Sequence, residues 1–141
     1  MNKRFCLGFI VIAIYVVIYE WAFHGGVLGG AYQATANIWR PQESMMVYMP
    51  WMWAGQLLFA FMFCLIFTCL KCQAGVKTGA LYGLVIGLLM SSGSLIFYAV
   101  LPVPLSLLIW WVVGGLLETV IAGIIFAAIY CAEKQEDEPS V

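Results

Sequence analysis

The chain has 141 residues, 65% of them hydrophobic and only 9% charged, against about 25% charged in a soluble domain. Six basic and seven acidic residues give a net charge of −1; no basic patch suits nucleic acid, no reaction motif marks an enzyme, and no cofactor or metal is expected. Four apolar runs, each near the ~20 helical residues that a bilayer core requires, leave no room for a separate soluble module.

The expected fold is therefore all-α: a membrane-embedded four-helix bundle forming one domain over residues 1–141. Its spans are predicted at about 5–23, 51–70, 78–101 and 105–130, with an acidic cytoplasmic tail over 131–141. An ordered outer interfacial segment is expected between helices 1 and 2.

Span 1 begins like a signal peptide, with Lys3 and Arg4 before an apolar run. It ends, however, in Tyr19, Glu20 and Trp21 rather than a small-x-small cleavage site, so a retained span is expected. Glu20 and His24 are four residues apart and share a helix face. Arg40 and Gln56 come to the same level and complete an outer polar cluster. That cluster either pairs charges to hold the outer segment down, the favoured reading, or binds an ion, a headgroup or a quinone-like ligand.

The outer segment from His24 to Pro50 turns at Gly25 and Gly26. A short helix is predicted over 31–39, and Pro41 suits a helix start, where its missing N–H costs nothing. Tyr32, Ile38, Trp39 and Tyr48 suit a segment that lies on the membrane surface or caps the bundle. Met45, Met46, Met49 and Met52 recur at helical spacing. Thioethers suit Cu(I), but filling of irregular apolar contacts is the simpler expectation.

Span 2 ends in a C-x-x-C, Cys69 and Cys72. Cys6 and Cys131 are expected at the same, inner end, where a reducing compartment disfavours disulfides. Free thiols are expected, although a four-cysteine metal site is geometrically open there. Span 3 carries Gly79, Gly83, Gly87 and Ser91 at four-residue intervals, and span 4 carries Gly115, Thr119, Gly123 and Ala127. In lipid, close backbone approach over small residues drives helix association. Pro102 and Pro104 force a tight reversal between the two spans. The two stripes are expected to meet each other; the alternative is that one faces a second copy or another subunit.

Glu118 lies near the middle of span 4. A carboxyl there costs at least about 2.5 kcal/mol on insertion scales. No Lys or Arg lies in any span, so burial favours the neutral acid, which could donate to Ser91, Ser92, Ser94 or a backbone carbonyl. It is either a protonatable functional site or a tie between helices. Orientation follows the basic residues: Lys3, Arg4, Lys71, Lys77 and Lys134 fall on one side and Arg40 alone on the other, so both termini are expected in the cytoplasm.

Tyr19-Glu20, His24-Gly25, Leu28, Gly30, Tyr32, Thr35 and Trp39-Arg40-Pro41 form a pattern. With the glycine stripe of span 3 and the Trp/Gly/Glu pattern of span 4, it resembles a group of small uncharacterised bacterial four-helix integral membrane proteins. The resemblance covers nearly the whole chain. It implies the architecture and a bacterial inner (plasma) membrane, and no activity. The expected function is a non-catalytic structural or accessory subunit that assembles through its small-residue faces. The expected partners are the lipid bilayer and further copies or other membrane subunits. The alternative is an oligomeric transporter of a small molecule or ion with Glu118 as its protonatable site.

Overall fold

The computed structural model describes residues 3–69 and 75–131. Lys71, Cys72, Lys134 and the acidic residues of the tail lie outside them. Among the described residues there is no strand, and four helices are long and apolar enough to cross a membrane.

Helix α1 (Lys3–Glu20) buries Phe5, Gly8, Ile12 and Val16, a stripe spaced three to four residues apart. Its other faces expose Leu7, Ile10, Ile14 and Ile18. Apolar surface on every side is what a helix between protein and lipid needs, and what a water-soluble domain avoids. After Glu20 the helix widens into π turns over Trp21–Val27, closed by Leu28 N–H donating to Phe23 O at 2.9 Å. A six-residue helix, α2 (Gly29–Ala34), and a 3-10 turn (Ala36–Ile38) follow. The short helix predicted over 31–39 is thus two pieces, parted at Thr35. The Thr35 hydroxyl donates back to the Ala31 carbonyl at 2.9 Å and accepts from Trp39 Nε1 at 2.9 Å.

Helix α3 (Gln42–Cys69) starts directly after Pro41. It absorbs Met45 to Met52, where a longer connection was expected, and runs through Pro50. A proline inside an apolar helix removes one hydrogen bond without ending it when neighbouring groups compensate. Helix α4 (Val76–Val100) reverses through Leu101–Pro104 into α5 (Leu105–Tyr130).

The strongest pairing is α4 on α5. A Cβ on Gly79 would overlap the Gly123 carbonyl, one on Gly83 the Thr119 carbonyl, and one on Gly87 the Thr119 hydroxyl. The small-residue stripes of the two helices meet within the chain. Gly115 differs from the expectation: a Cβ there meets nothing within 4 Å, because that face turns away from α4 toward a cavity. Helix α1 packs on both α3 and α5. The bundle is thus two helix pairs, α1/α3 and α4/α5, joined along α1 and α5.

Two cores close the ends. At the end near Lys3 and Cys131, aromatic edges interlock: Phe67 meets Phe126 at 5.3 Å and Tyr82 at 5.1 Å, both close to perpendicular. Tyr82 OH also donates to the Phe63 carbonyl at 2.5 Å, fastening α4 to α3. At the other end, the capped end, Leu28 packs with Val103 and Leu107, so the α2 segment sits on the turn between α4 and α5. Between the two cores α1 and α5 stay in contact, and α3 and α4 part.

Candidate functional site

A cavity of about 590 Å³ occupies that space in the capped half of the bundle, within the size range of small-molecule sites. All four long helices and the cap contribute walls. Its polar groups are Glu20, His24, Tyr32, Gln56, Ser91 and Glu118 among others. Helices α3 and α4 make few contacts along this half, and wall residues there, such as Trp51, Met90 and Phe97, are exposed on the flank of the bundle. With these walls exposed and α3 barely touching α4, the cavity is least closed on the side between these two helices.

Glu20 and Glu118 both line this cavity, close enough for their carboxyls to interact. Sequence reasoning puts them in separate places, one at the outer boundary and one mid-span. The helices bring them to one level. Helix α1 continues as π turns to Val27, so Glu20 lies below the cap rather than at the span's end. Glu118 lies about 20 Å along α5 from its start at 1.5 Å per residue. Glu118 is 7% exposed. Two carboxyls in one apolar cavity favour a state in which one of them carries a proton.

Two tyrosines of α1 fix this geometry. Tyr15 OH donates to the backbone carbonyl of Glu118 at 3.3 Å, and Tyr19 OH donates to that of Gly114 at 2.8 Å. Gly114 is buried beneath Phe23, where any side chain would overlap the ring.

A chain of polar contacts leads from the pair toward the cap. His24 Nε2 is 3.5 Å from Glu20 Oε2, His24 Nδ1 is 2.6 Å from Tyr32 OH, and Trp111 Nε1 donates to Tyr32 OH at 2.8 Å. The indole N–H only donates. Tyr32 OH therefore accepts from Trp111, and which partner donates in the His24 Nδ1–Tyr32 OH contact is set by the imidazole tautomer. The π turns carry His24 at their centre; single π segments recur at functional sites because they re-aim side chains. Burial raises the Tyr32 phenol above its ordinary value, and the Trp111 hydrogen bond opposes this.

Gln56, from α3, has its Oε1 buried with no hydrogen-bond partner among the described residues. Ser91 and Ser94 line the cavity, and the Ser91 hydroxyl donates to Gly87 O at 2.8 Å. Ser92 does not join them: it is exposed and donates to Leu89 O at 2.6 Å. Arg40 is also absent from the cluster. It is exposed, with its guanidinium 3.9 Å from the centre of the Tyr48 ring. Ala31 to Trp39 fold back onto α5 whereas Arg40 and Pro41 lead outward into α3. Of the methionines at helical spacing, Met52 lines the cavity and Met45 and Met46 are exposed. Cys6 and Cys69 are exposed, and Cys64 and Cys131 buried.

Tyr15, Tyr19, Tyr32 and Trp111 carry the site and are not among the site residues expected from the sequence, where Tyr19 and Tyr32 stand only as parts of the span end and the cap. Tyr32 follows His24 by eight residues in the cap, a usable signal. Trp111 joins only through the tertiary fold. Comparison with protein families, with curated proteins and with solved structures finds no match to this chain.

Proposed function

We propose that the chain is a multi-pass protein of the bacterial inner membrane, with both termini cytoplasmic, that binds a small molecule in the cavity of its capped half and exchanges a proton at the Glu20–Glu118 pair. It acts as a small transporter or ligand-binding membrane protein rather than as a purely structural one. The observation that carries this reading is the meeting of two carboxyls on one cavity. Two like charges in so apolar a place cannot both ionise cheaply, and an intramembrane ionisable group is a functional site by default.

The accessory-subunit reading rested on the small-residue faces. Gly79, Gly83 and Gly87 are occupied by α5 of the same chain, so they leave no free stripe for a partner on that face. What still favours assembly with other chains is the exposed aromatic surface at the start of α3, with Trp51 at 78% exposure.

Infrared spectroscopy of the purified protein in detergent tests the proton. At neutral pH the wild type is expected to show the carbonyl stretch of a protonated, hydrogen-bonded carboxylic acid. Glu118→Gln and Glu20→Gln should each shift or remove it. A wild type with ionised carboxylates only would end this reading.

A further inference from the structure

We propose that the ligand of this cavity is an amphiphilic organic ammonium that carries at least one N–H, and that it displaces the proton shared by Glu20 and Glu118. The inference rests on the proton-exchanging reading above and names its substrate class.

The polar groups of the cavity set the sign of the ligand. No Lys or Arg lines it among the described residues. Glu20 and Glu118 provide acceptor oxygens and, once deprotonated, negative charge. Gln56 adds a buried carbonyl oxygen that has no donor among the described residues, and a buried acceptor without a donor is costly unless a ligand supplies one. These groups select a donor, and a positive one.

The walls set the body of the ligand. Tyr19, Phe23, Trp39, Trp51, Phe59 and Trp111 line the cavity. Aromatic faces attract a cation through the ring quadrupole, most strongly when the cation is desolvated, and bury an apolar tail. Gln56 then separates two kinds of cation. A primary or secondary ammonium satisfies its oxygen; a quaternary one has no N–H to give. The least closed side, between α3 and α4, admits a molecule already dissolved in lipid.

The exchange balances in charge. The pair with one proton carries −1; the pair without it, holding a monovalent cation, also carries −1. One ammonium enters and one proton leaves, so the apolar surroundings meet no new net charge. The titratable groups that share the cavity with Glu118 are Tyr19, Glu20 and His24 from the α1 region and Tyr32 from the cap; Tyr15 touches the Glu118 backbone. Among the described residues the walls from α3 and α4 add no titratable side chain; their polar groups are Gln56, Ser91, Ser94 and the Trp51 indole. Proton competition therefore centres on the carboxyl pair, with His24 as its neighbour.

The test is calorimetric titration of the full chain in detergent with 4-phenylbutylamine, its N,N,N-trimethyl analogue and the neutral 4-phenylbutanol. Buffers of different ionisation enthalpy report protons released. The amine is expected to bind best, to release one proton, and to lose about tenfold in affinity per pH unit on the acid side, as one-proton competition requires. Gln56→Leu should keep the proton release but lose the preference for the amine over the trimethyl analogue. Glu118→Gln should bind the amine at least about tenfold more weakly, with circular dichroism to verify its fold. Should that variant not fold, the three-ligand comparison and Gln56→Leu still decide. An alcohol that binds as well as the amine, or amine binding without proton release, overturns the inference. So does an absence of amine binding where the infrared band of the protonated pair is present; absence of the band itself would instead remove the underlying reading.

Discussion

Tyr32 holds the most connected polar atom of the site. Its hydroxyl accepts from Trp111 Nε1 and contacts His24 Nδ1, and its ring stacks on His24 at 5.8 Å and meets Trp39 edge-on at 5.4 Å. Tyr32→Phe keeps the ring contacts and deletes the oxygen, leaving the Trp111 indole donor and the His24 Nδ1 nitrogen without this partner. A loss of about 1–3 kcal/mol is expected, read as a lower denaturation midpoint in detergent. The pH dependence has a definite sign. The folded-state phenol is raised above the ordinary 10.0 by burial, so the folded protein favours the protonated form. The stability this gives is fully present below the unfolded value and is lost as pH rises through the folded one. Wild-type stability should therefore fall from about pH 10 upward, and more steeply than in Tyr32→Phe. Parallel curves for the two proteins would show that Tyr32 does not titrate with folding. At this scale the sequence was partly legible. Glu20, His24, Gln56 and Glu118 stand out as rare polar groups in apolar surroundings. Their convergence was not legible, because it depends on where each helix ends relative to its neighbour, a matter of a turn or two. Ser92 failed for a similar reason: consecutive residues of a helix point about 100° apart, and only Ser91 and Ser94 share the inward face.

Helix α4 shows how one residue type has opposite effects on two faces of an element. Gly83 lies against the backbone of Thr119 and Val120, where a Cβ would overlap; Gly93, on the same helix, has nothing within 4 Å of that position. Gly83→Ala should cost about 1–3 kcal/mol through forced separation of α4 and α5. Gly93→Ala should be neutral or gain up to about 1 kcal/mol from the lower conformational freedom of alanine. Thermal unfolding followed by circular dichroism ranks the pair, and equal effects would mean that α4 and α5 are not in backbone contact. The stripe itself could be read in advance, since four-residue spacing puts small residues on one face and the two-proline turn makes its neighbours antiparallel. Gly115 was misjudged because a four-residue interval drifts around a helix with 3.6 residues per turn. One step beyond Thr119, that drift takes the position off the contact and onto the cavity wall. Pro41 marks the start of α3 in the sequence, but Pro50 reads as a boundary and hides that the same helix runs on through it into span 2.

The whole molecule has two unlike ends. One carries Lys3, Arg4 and Lys77 at the starts of α1 and α4, and the aromatic core of Phe67, Tyr82 and Phe126. The other carries the cap, Arg40 and the way into the cavity. Basic residues are retained on the cytoplasmic side during insertion, so the cap, and with it His24, should face outward. The His24–Tyr32–Trp111 chain then lies between the carboxyl pair and the outer aqueous phase, and the least closed side of the cavity faces the outer half of the bilayer. Labelling with a membrane-impermeant maleimide checks this in a cysteine-free version of the chain expressed in a bacterium. Asn37→Cys, exposed in the 3-10 turn of the cap, should react in intact cells. Lys3→Cys, exposed at the start of α1, should react only after the inner membrane is permeabilised. The opposite pattern would invert the bundle and give the carboxyl pair a cytoplasmic proton source, with the same cavity then drawing its ligand from the inner half of the bilayer.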